Sequence, residues 1–286
     1  MEATTPFKHL GTFKDFNDGS IKCVYETTNG IIETTLINNK NDNDIDVYCV
    51  PTHHFCNLGC VLCHLTARGI KKGMVPIGQK DFIEALVRTT YKKSDQVNIS
   101  KPDFSLKRTT CNKCLISFMG VGEPLLNLDL VKDVHSGENS IKKACNYNVI
   151  GYALSTIIPN KKLGDLTNYV LETKFPVKVH FSLHSPFSDE RIKLLPFTSV
   201  GVEEALEMLC EYRNKLDGIS AIKESLSNFH ASTDPIEIHY TLIQDHNDSN
   251  RHLDKLLELL NKYKIPIKFL RFNPIGELKR SNNGSK

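Results

Sequence analysis

The stretch VKVHFSLHS, residues 177–185, decides the fold. Side chains alternate along a strand, so Lys178, His180, Ser182 and His184 share one face while Val179, Phe181 and Leu183 share the other. A second run repeats the pattern, with Glu237, His239 and Thr241 on one side and Ile236, Ile238, Tyr240 and Leu242 on the other. A one-sided antiparallel sheet facing solvent would also read this way. Helix-period segments between the runs favour parallel strands whose apolar faces are covered by helices, which turns the polar faces into a lumen. A wet lumen suits a ligand better than a packed core would.

Working outward, apolar β-branched runs recur near 45–51, 114–119, 148–156, 177–184, 236–243 and 267–272, with helix-period segments near 78–93, 127–145, 160–173, 201–216 and 249–263 between them. Five crossover helices joining six strands predict a parallel sheet with active residues at the C-terminal strand ends. Six strands fall short of a closed eightfold barrel, so the expectation is an α/β chain with an open or partial (β/α)6 barrel. Upstream, IKCVYETTNGIIETTLIN at 21–38 holds two β-rich runs around Asn29-Gly30, a hairpin signal, and the polar NNKNDNDID that follows reads as a linker. The expected domains are an N-terminal β-extension and linker, 1–44, and a core domain, 45–286.

The 286 residues, with 40% hydrophobic and 24% charged residues, 16 Gly and 12 Pro, describe an ordinary globule and exclude disordered or collagenous classes. No apolar stretch approaches the roughly 18 residues that cross a bilayer, and MEATTPFKHLGTFKDF has no apolar signal core. A cytoplasmic protein, without membrane contact and monomeric, is expected. From Lys262 onward seven basic residues face one acid, Glu277, a surplus of six that leaves the rest of the chain at −3 against the whole chain's +3. That tail suits a phosphate backbone or is simply a solvated terminus. No phosphate-loop, H-E-x-x-H or G-x-S-x-G signature occurs, so kinase-like, zinc-protease and hydrolase readings have no support.

Nine cysteines without an export signal are better read as thiols, metal ligands or nucleophiles than as a disulfide framework. Cys56, Cys60 and Cys63 form a C-x-x-x-C-x-x-C run directly after the first core strand. Three thiolates so close can hold a 4Fe-4S cluster that keeps one iron without a protein ligand. Zinc would need a fourth ligand, for which His53, His54 or His64 stands near. Cys111 and Cys114 form a C-x-x-C unit without a helix N-terminus or a second pair to support a dithiol or zinc-ribbon reading. Cys114 is expected in the core, and Cys145 and Cys210 are expected buried on helices.

This cysteine spacing at the end of the first strand resembles the radical S-adenosylmethionine (SAM) superfamily. The resemblance implies that the unique iron binds the amino and carboxylate groups of SAM and that reductive cleavage yields a 5′-deoxyadenosyl radical. SFMGVGEPLLN at 117–127 is similar to the family's Gly-Gly-Glu-Pro region, which holds the methionine end of SAM: Gly122 permits close backbone approach and Glu123 offers a carboxylate to an ammonium group.

Further matches point to the rRNA adenine carbon-2 and carbon-8 methyltransferases, the RlmN/Cfr type. ALSTIIP at 153–159, with Ser155, resembles that branch's third-strand SAM contact. FSLHSP at 181–186, with Ser182, Leu183 and His184, resembles the fourth-strand contact, and Asn273 in RFNPIG the asparagine after the last strand. Cys49, seven residues before Cys56, resembles the family's resolving cysteine, and Glu33 in DGSIKCVYETTNGIIETTLI its general-base glutamate. The likeness covers about residues 18–283 and implies an RNA substrate, ribosomal or transfer, and a flavodoxin- or ferredoxin-type electron donor. In that family one SAM methylates a second cysteine near the C-terminus, whose methyl group is then activated and added to adenine, and the resolving cysteine releases the adduct as a disulfide.

The methyl-carrying cysteine has no match here: none of Cys23, Cys111, Cys114, Cys145 or Cys210 sits in the corresponding context, and the family's helical N-terminal RNA-binding domain has no counterpart before residue 18. Three expectations follow: a shortened or split methyltransferase, a radical SAM oxidoreductase or modification enzyme acting on another substrate, or an inactive cluster-binding RNA-binding relative.

Overall fold

The computed structural model describes residues 7–15, 19–38, 45–67, 69, 73–93, 112–227, 233–275 and 278–279. They fall into two compact units, Met1–Phe55 with Met74–Ala153 and Cys56–Gly73 with Leu154–Lys286.

In the first unit, β1 (Lys8–Lys14), β2 (Ile21–Thr27), β3 (Gly30–Asn38) and β4 (Ile45–Cys49) pair in chain order and antiparallel. The expected hairpin is present. Thr27 pairs with Gly30, so its two turn residues are Thr28 and Asn29, one position earlier than an Asn-Gly turn. The direction then changes: β4 runs parallel to β5 (Lys113–Phe118), from Ile45 opposite Lys113 to Cys49 opposite Ser117. Helix α2 (Gln79–Lys93) lies in the chain between these two strands and packs on β2 and β3. Its buried Phe82, Ala85, Leu86, Thr89 and Thr90 recur at helical spacing, and the Thr89 and Thr90 hydroxyls bond those of Tyr25, Thr34 and Tyr48. Each fully buried Phe or Leu of this kind contributes about 1.5–3 kcal/mol.

The periodicity expected for one helix over 127–145 resolves into α3 (Leu128–Ser136) and α4 (Glu138–Cys145). The break is at Gly137, whose N–H returns to the Asp133 carbonyl. Gln79 donates to that same carbonyl at 2.5 Å and occupies the space a Cβ at 137 would need. Strand β6 (Asn148–Thr156) follows and carries the chain into the second unit.

The second unit holds α1 (His64–Ala67), α5 (Leu163–Thr173), β7 (Val177–Ser182), α6 (Ser188–Leu194), α7 (Val202–Leu216), α8 (Ser220–Leu226), β8 (Ile236–Thr241), α9 (Asn250–Tyr263) and β9 (Ile267–Leu270). β7, β8 and β9 pair in parallel, as the crossover helices require. Both α5 and α9 stop on a lysine in the left-handed region, Lys174 and Lys264, followed by Phe175-Pro176 and Ile265-Pro266. Proline two residues beyond each cap cannot continue the helix, which delivers the chain sharply into the next strand.

The polar faces of β7 and β8 exist as expected, but they are not wet. Lys178, His180, Glu237 and His239 are 1%, 9%, 4% and 2% exposed and are paired with one another. The Lys178 ammonium and the Glu237 carboxylate meet across the ladder at 3.5 Å. Among the other cysteines, Cys114 and Cys145 are buried as expected, Cys210 is partly exposed, and Cys111 lies outside the described residues. Among the described residues no helix is long and apolar enough to cross a membrane.

Candidate active site

In the first unit the β-extension presents one partly open face. Lys22 stands opposite Thr35 in the β2–β3 ladder, and Thr35 stands opposite Cys49 in the β3–β4 ladder. Cross-strand partners point to the same side, and so do residues two apart, so Lys22, Glu33, Thr35 and Cys49 share this face. Lys22 Nζ donates to Glu33 Oε2 at 3.1 Å. Burial pushes the Cys49 thiol up to about 11, although the Lys22 charge and the Met119 N–H act in the opposite direction. Cys49 is therefore a protonated thiol near neutral pH.

The segment leaving β4 is zipped to the segment leaving β5. Thr52 and His53 donate their N–H groups to Val121, and Gly120 donates to Val50. Gly122 has φ +109, and a Cβ there would lie 2.4 Å from His53 Nδ1 and 2.6 Å from Thr52 Oγ1. Only glycine fits this turn. Glu123 is 2% exposed and its Oε1 accepts the Leu125 N–H, capping the 3-10 turn Pro124–Leu126. Asn127 holds the arrangement together by donating to the carbonyls of Thr52 and Ile77 and accepting from Leu130 N–H. The sequence signal for Asn127 was its place at the end of the Gly-Glu-Pro phrase, where an amide before a helix reads as a cap.

His53 and His54 have structural partners. His53 Nδ1 is 2.9 Å from Thr52 Oγ1, and burial lowers its pKa to about 4. His54 donates through Nδ1 to the Ile31 carbonyl at 3.3 Å.

In the second unit Cys56, Cys60 and Cys63 are not in disulfides and are partly exposed on one short loop that ends at α1. Leu58, 4% exposed, anchors the loop, and Val61 N–H bonds the Leu194 carbonyl at 2.9 Å. Among the described residues the trio of His, Cys, Asp and Glu ligand atoms drawn within 4.8 Å is His180, Glu237 and His239. Three thiolates on one loop leave a zinc ion one ligand short of a closed tetrahedron. A polynuclear iron–sulfur cluster, which takes each thiolate on a different iron, fits such a donor set better than zinc does.

Ser182, Leu183 and His184 lie around a side chain that sequence reasoning missed. Arg191, 1% exposed, donates to the carbonyls of Ile157, Ser182 and Leu183, fastening the end of β7 to the segment leaving β6. Ser155 and Ser182 are partly exposed, whereas Leu183 and His184 are buried. His184 has φ +55, accepts the Thr241 N–H through Nδ1, and its carbonyl accepts from Asn247 Nδ2. Burial, then the nearby Arg191 charge, lowers its pKa to about 3. Asn273 is exposed after β9.

No family model matches the chain. A probable dual-specificity RNA methyltransferase RlmN of Finegoldia magna is 26% identical over 274 residues, covering 93% of this chain and 64% of the relative. A ribosomal RNA large subunit methyltransferase Cfr of Shouchella clausii is 22% identical, covering 89% of this chain and 65% of the relative. The chain thus spans just under two thirds of the length of these curated relatives. The crystal structure of a radical SAM methyltransferase from Sphaerobacter thermophilus matches 98% of this chain and 72% of its own, with a TM-score of 0.64 at 20% identity. The α/β fold read from the sequence is borne out by that structure, and the resemblance to the RlmN/Cfr type is borne out across nine tenths of the chain.

Proposed function

We propose that this chain is a radical SAM enzyme of the RNA adenine methyltransferase type. The observation that carries the reading is the RlmN match over 93% of the chain, together with three partly exposed cysteines outside any disulfide at C-x-x-x-C-x-x-C spacing. Cys56, Cys60 and Cys63 would hold a 4Fe-4S cluster, and Gly122, Glu123, Ser155, Ser182, Leu183, His184 and Asn273 would shape the SAM site. When bound, these groups would supply one-electron reductive cleavage of SAM, with a flavodoxin- or ferredoxin-type protein as donor.

The chain's own residues supply positioning and proton handling. The tight turn at Gly122 lets backbone approach the ligand where a side chain would stand in the way. Glu33, on the open face of the β-extension, would accept the proton from the adenine ring carbon, and Lys22 orients its carboxylate. Cys49 would be the resolving thiol, its sulfur joining the sulfur of the methyl-carrying cysteine in a disulfide as the adduct's carbon–sulfur bond breaks, and its place on the face of Glu33 puts it beside the proposed base. RNA is the substrate class that the relatives' names support, and the basic residues after Lys262 suit its phosphates.

A second reading rests on the remaining cysteines. Cys23, Cys114 and Cys145 are each 0% exposed, and Cys210 lies beside Arg213 and the Tyr263 carbonyl. None of these four is presented as a methyl acceptor, and the alternative is a radical SAM modification reaction that needs no second cysteine. Anaerobic reconstitution tests both readings. Roughly four irons per chain and 5′-deoxyadenosine formed from SAM and reductant are expected, and Cys56→Ala should remove both. Methylated adenine in the RNA separates the first reading from the second, and a chain that takes up no iron overturns both.

A further inference from the structure

We propose that His180, Glu237 and His239 form a mononuclear site for a divalent transition-metal ion, zinc first among them, separate from the cysteine loop. The parallel β7–β8 register sets His180 opposite Glu237 and Ser182 opposite His239, so alternation brings the three side chains to one face. All three are buried, and their ligand atoms lie within 4.8 Å of one another.

Both imidazoles address the same carboxylate oxygen. His239 Nε2 is 3.1 Å and His180 Nε2 is 3.9 Å from Glu237 Oε1. Ligands at about 2.0–2.1 Å from a tetrahedral ion stand about 3.3–3.4 Å apart. The His239–Glu237 spacing of 3.1 Å is slightly short of that figure and the His180–Glu237 spacing of 3.9 Å slightly beyond it, while all three ligand atoms lie within 4.8 Å, so they would adjust by ångström-scale shifts around an ion. The other oxygen, Oε2, is held by Lys178 Nζ at 3.5 Å. This is the arrangement of a carboxylate that ligates through one oxygen and is fixed through the other.

The rings of His180 and His239 stack at 4.4 Å between centroids, and His180 Nδ1 is buried without a hydrogen-bond partner. Ligation through Nε2 would leave that Nδ1 as it is, so the site stands on the converging Nε2 and Oε1 atoms. Two histidines and a carboxylate leave one tetrahedral position for water, and they form a nitrogen–oxygen donor set distinct in kind from the thiolates of the cysteine loop.

The full chain, reconstituted anaerobically with iron and sulfide and stripped of loose metal, should bind one equivalent of added cobalt(II). Weak ligand-field bands without sulfur-to-cobalt charge transfer are expected. Replacing Cys56, Cys60 and Cys63 together by alanine should leave this binding intact, so the result stands or falls independently of the cluster reading. His180→Ala and His239→Ala should weaken binding at least about a hundredfold while iron content is kept. Wild-type protein that binds no cobalt, or binds it only with thiolate bands that vanish in the cysteine variant, overturns the proposal, and neither result depends on a histidine variant that fails to fold.

Discussion

Lys22 Nζ lies 3.1 Å from Glu33 Oε2, and Lys22 is one cross-strand neighbour removed from Cys49 through Thr35. One ammonium thus serves both residues proposed to act on the adduct. A charge beside a thiol favours the thiolate, and at protein-surface distances this is worth about three- to tenfold in thiolate population. Lys22→Met should slow alkylation of Cys49 at pH 8 by that factor and leave uncoupled 5′-deoxyadenosine formation unchanged, whereas Lys22→Arg should restore the rate. Peptide mass mapping of the alkylated protein reads the result. An unchanged rate in Lys22→Met removes the lysine from the proposed machinery.

The Cys49 thiol itself is pushed up to about 11 by burial. Below that value thiolate falls tenfold per pH unit, so at pH 8 Cys49 should alkylate about a hundredfold more slowly than an ordinary thiol titrating near 9. Its rate should climb log-linearly from pH 7 to 10 without a plateau. A plateau at pH 9 would contradict the burial that the structure assigns to it.

Gly122 offers a steric test. Its φ of +109 and the 2.4 Å approach of His53 Nδ1 leave no room for a methyl group. Gly122→Ala should cost at least about 2 kcal/mol in urea unfolding. Gly164 in α5 is the control: a Cβ there meets nothing within 4 Å, and Gly164→Ala should gain about 0.5–1 kcal/mol. Equal effects at the two positions would mean that the turn after β5 is not held as described.

Much of this was legible in the sequence, for identifiable reasons. The six core strands and the long helices carry strong periodicity, and the cysteine loop is read from spacing alone. Helices α1, α6 and α8 have four to seven residues, too few for a period to declare itself. β1 has no fully buried residue, which removes the alternation that marks a strand. The break at Gly137 was visible as a glycine but outvoted by apolar residues on both sides. The dryness of the polar faces depends on which residue of β7 opposes which of β8, and Arg191 depends on carbonyls 8 and 34 residues away. No local pattern records either.

His184 makes stability depend on pH. Its folded value of about 3 lies below the ordinary 6.5, because burial and then the Arg191 charge disfavour the imidazolium. As pH falls the unfolded chain takes up this proton first. The stabilisation is complete above pH 6.5 and is lost as pH falls toward 3, by about 1.4 kcal/mol per unit. His184→Gln should reduce the acid slope of the urea midpoint by about one proton. An unaltered slope would show that His184 is not the group that resists protonation.

Arg191 joins the fold to the proposed SAM site. Its guanidinium serves the carbonyls of Ile157, Ser182 and Leu183 and lies 4.8 Å from the Phe181 ring centroid, where water cannot replace it. A neutral side chain of similar volume leaves three carbonyl acceptors without this donor. Arg191→Met should therefore lose about 3–5 kcal/mol by urea unfolding. Arg191→Lys should recover less than half of that, because a single ammonium cannot reproduce the planar fork. The same loosening reaches Ser182, so SAM should bind Arg191→Lys at least about tenfold more weakly by equilibrium dialysis under conditions where the variant remains folded. Full SAM affinity in a folded Arg191→Lys protein would confine the arginine to stability and leave the strand-end serines without the support assigned to them.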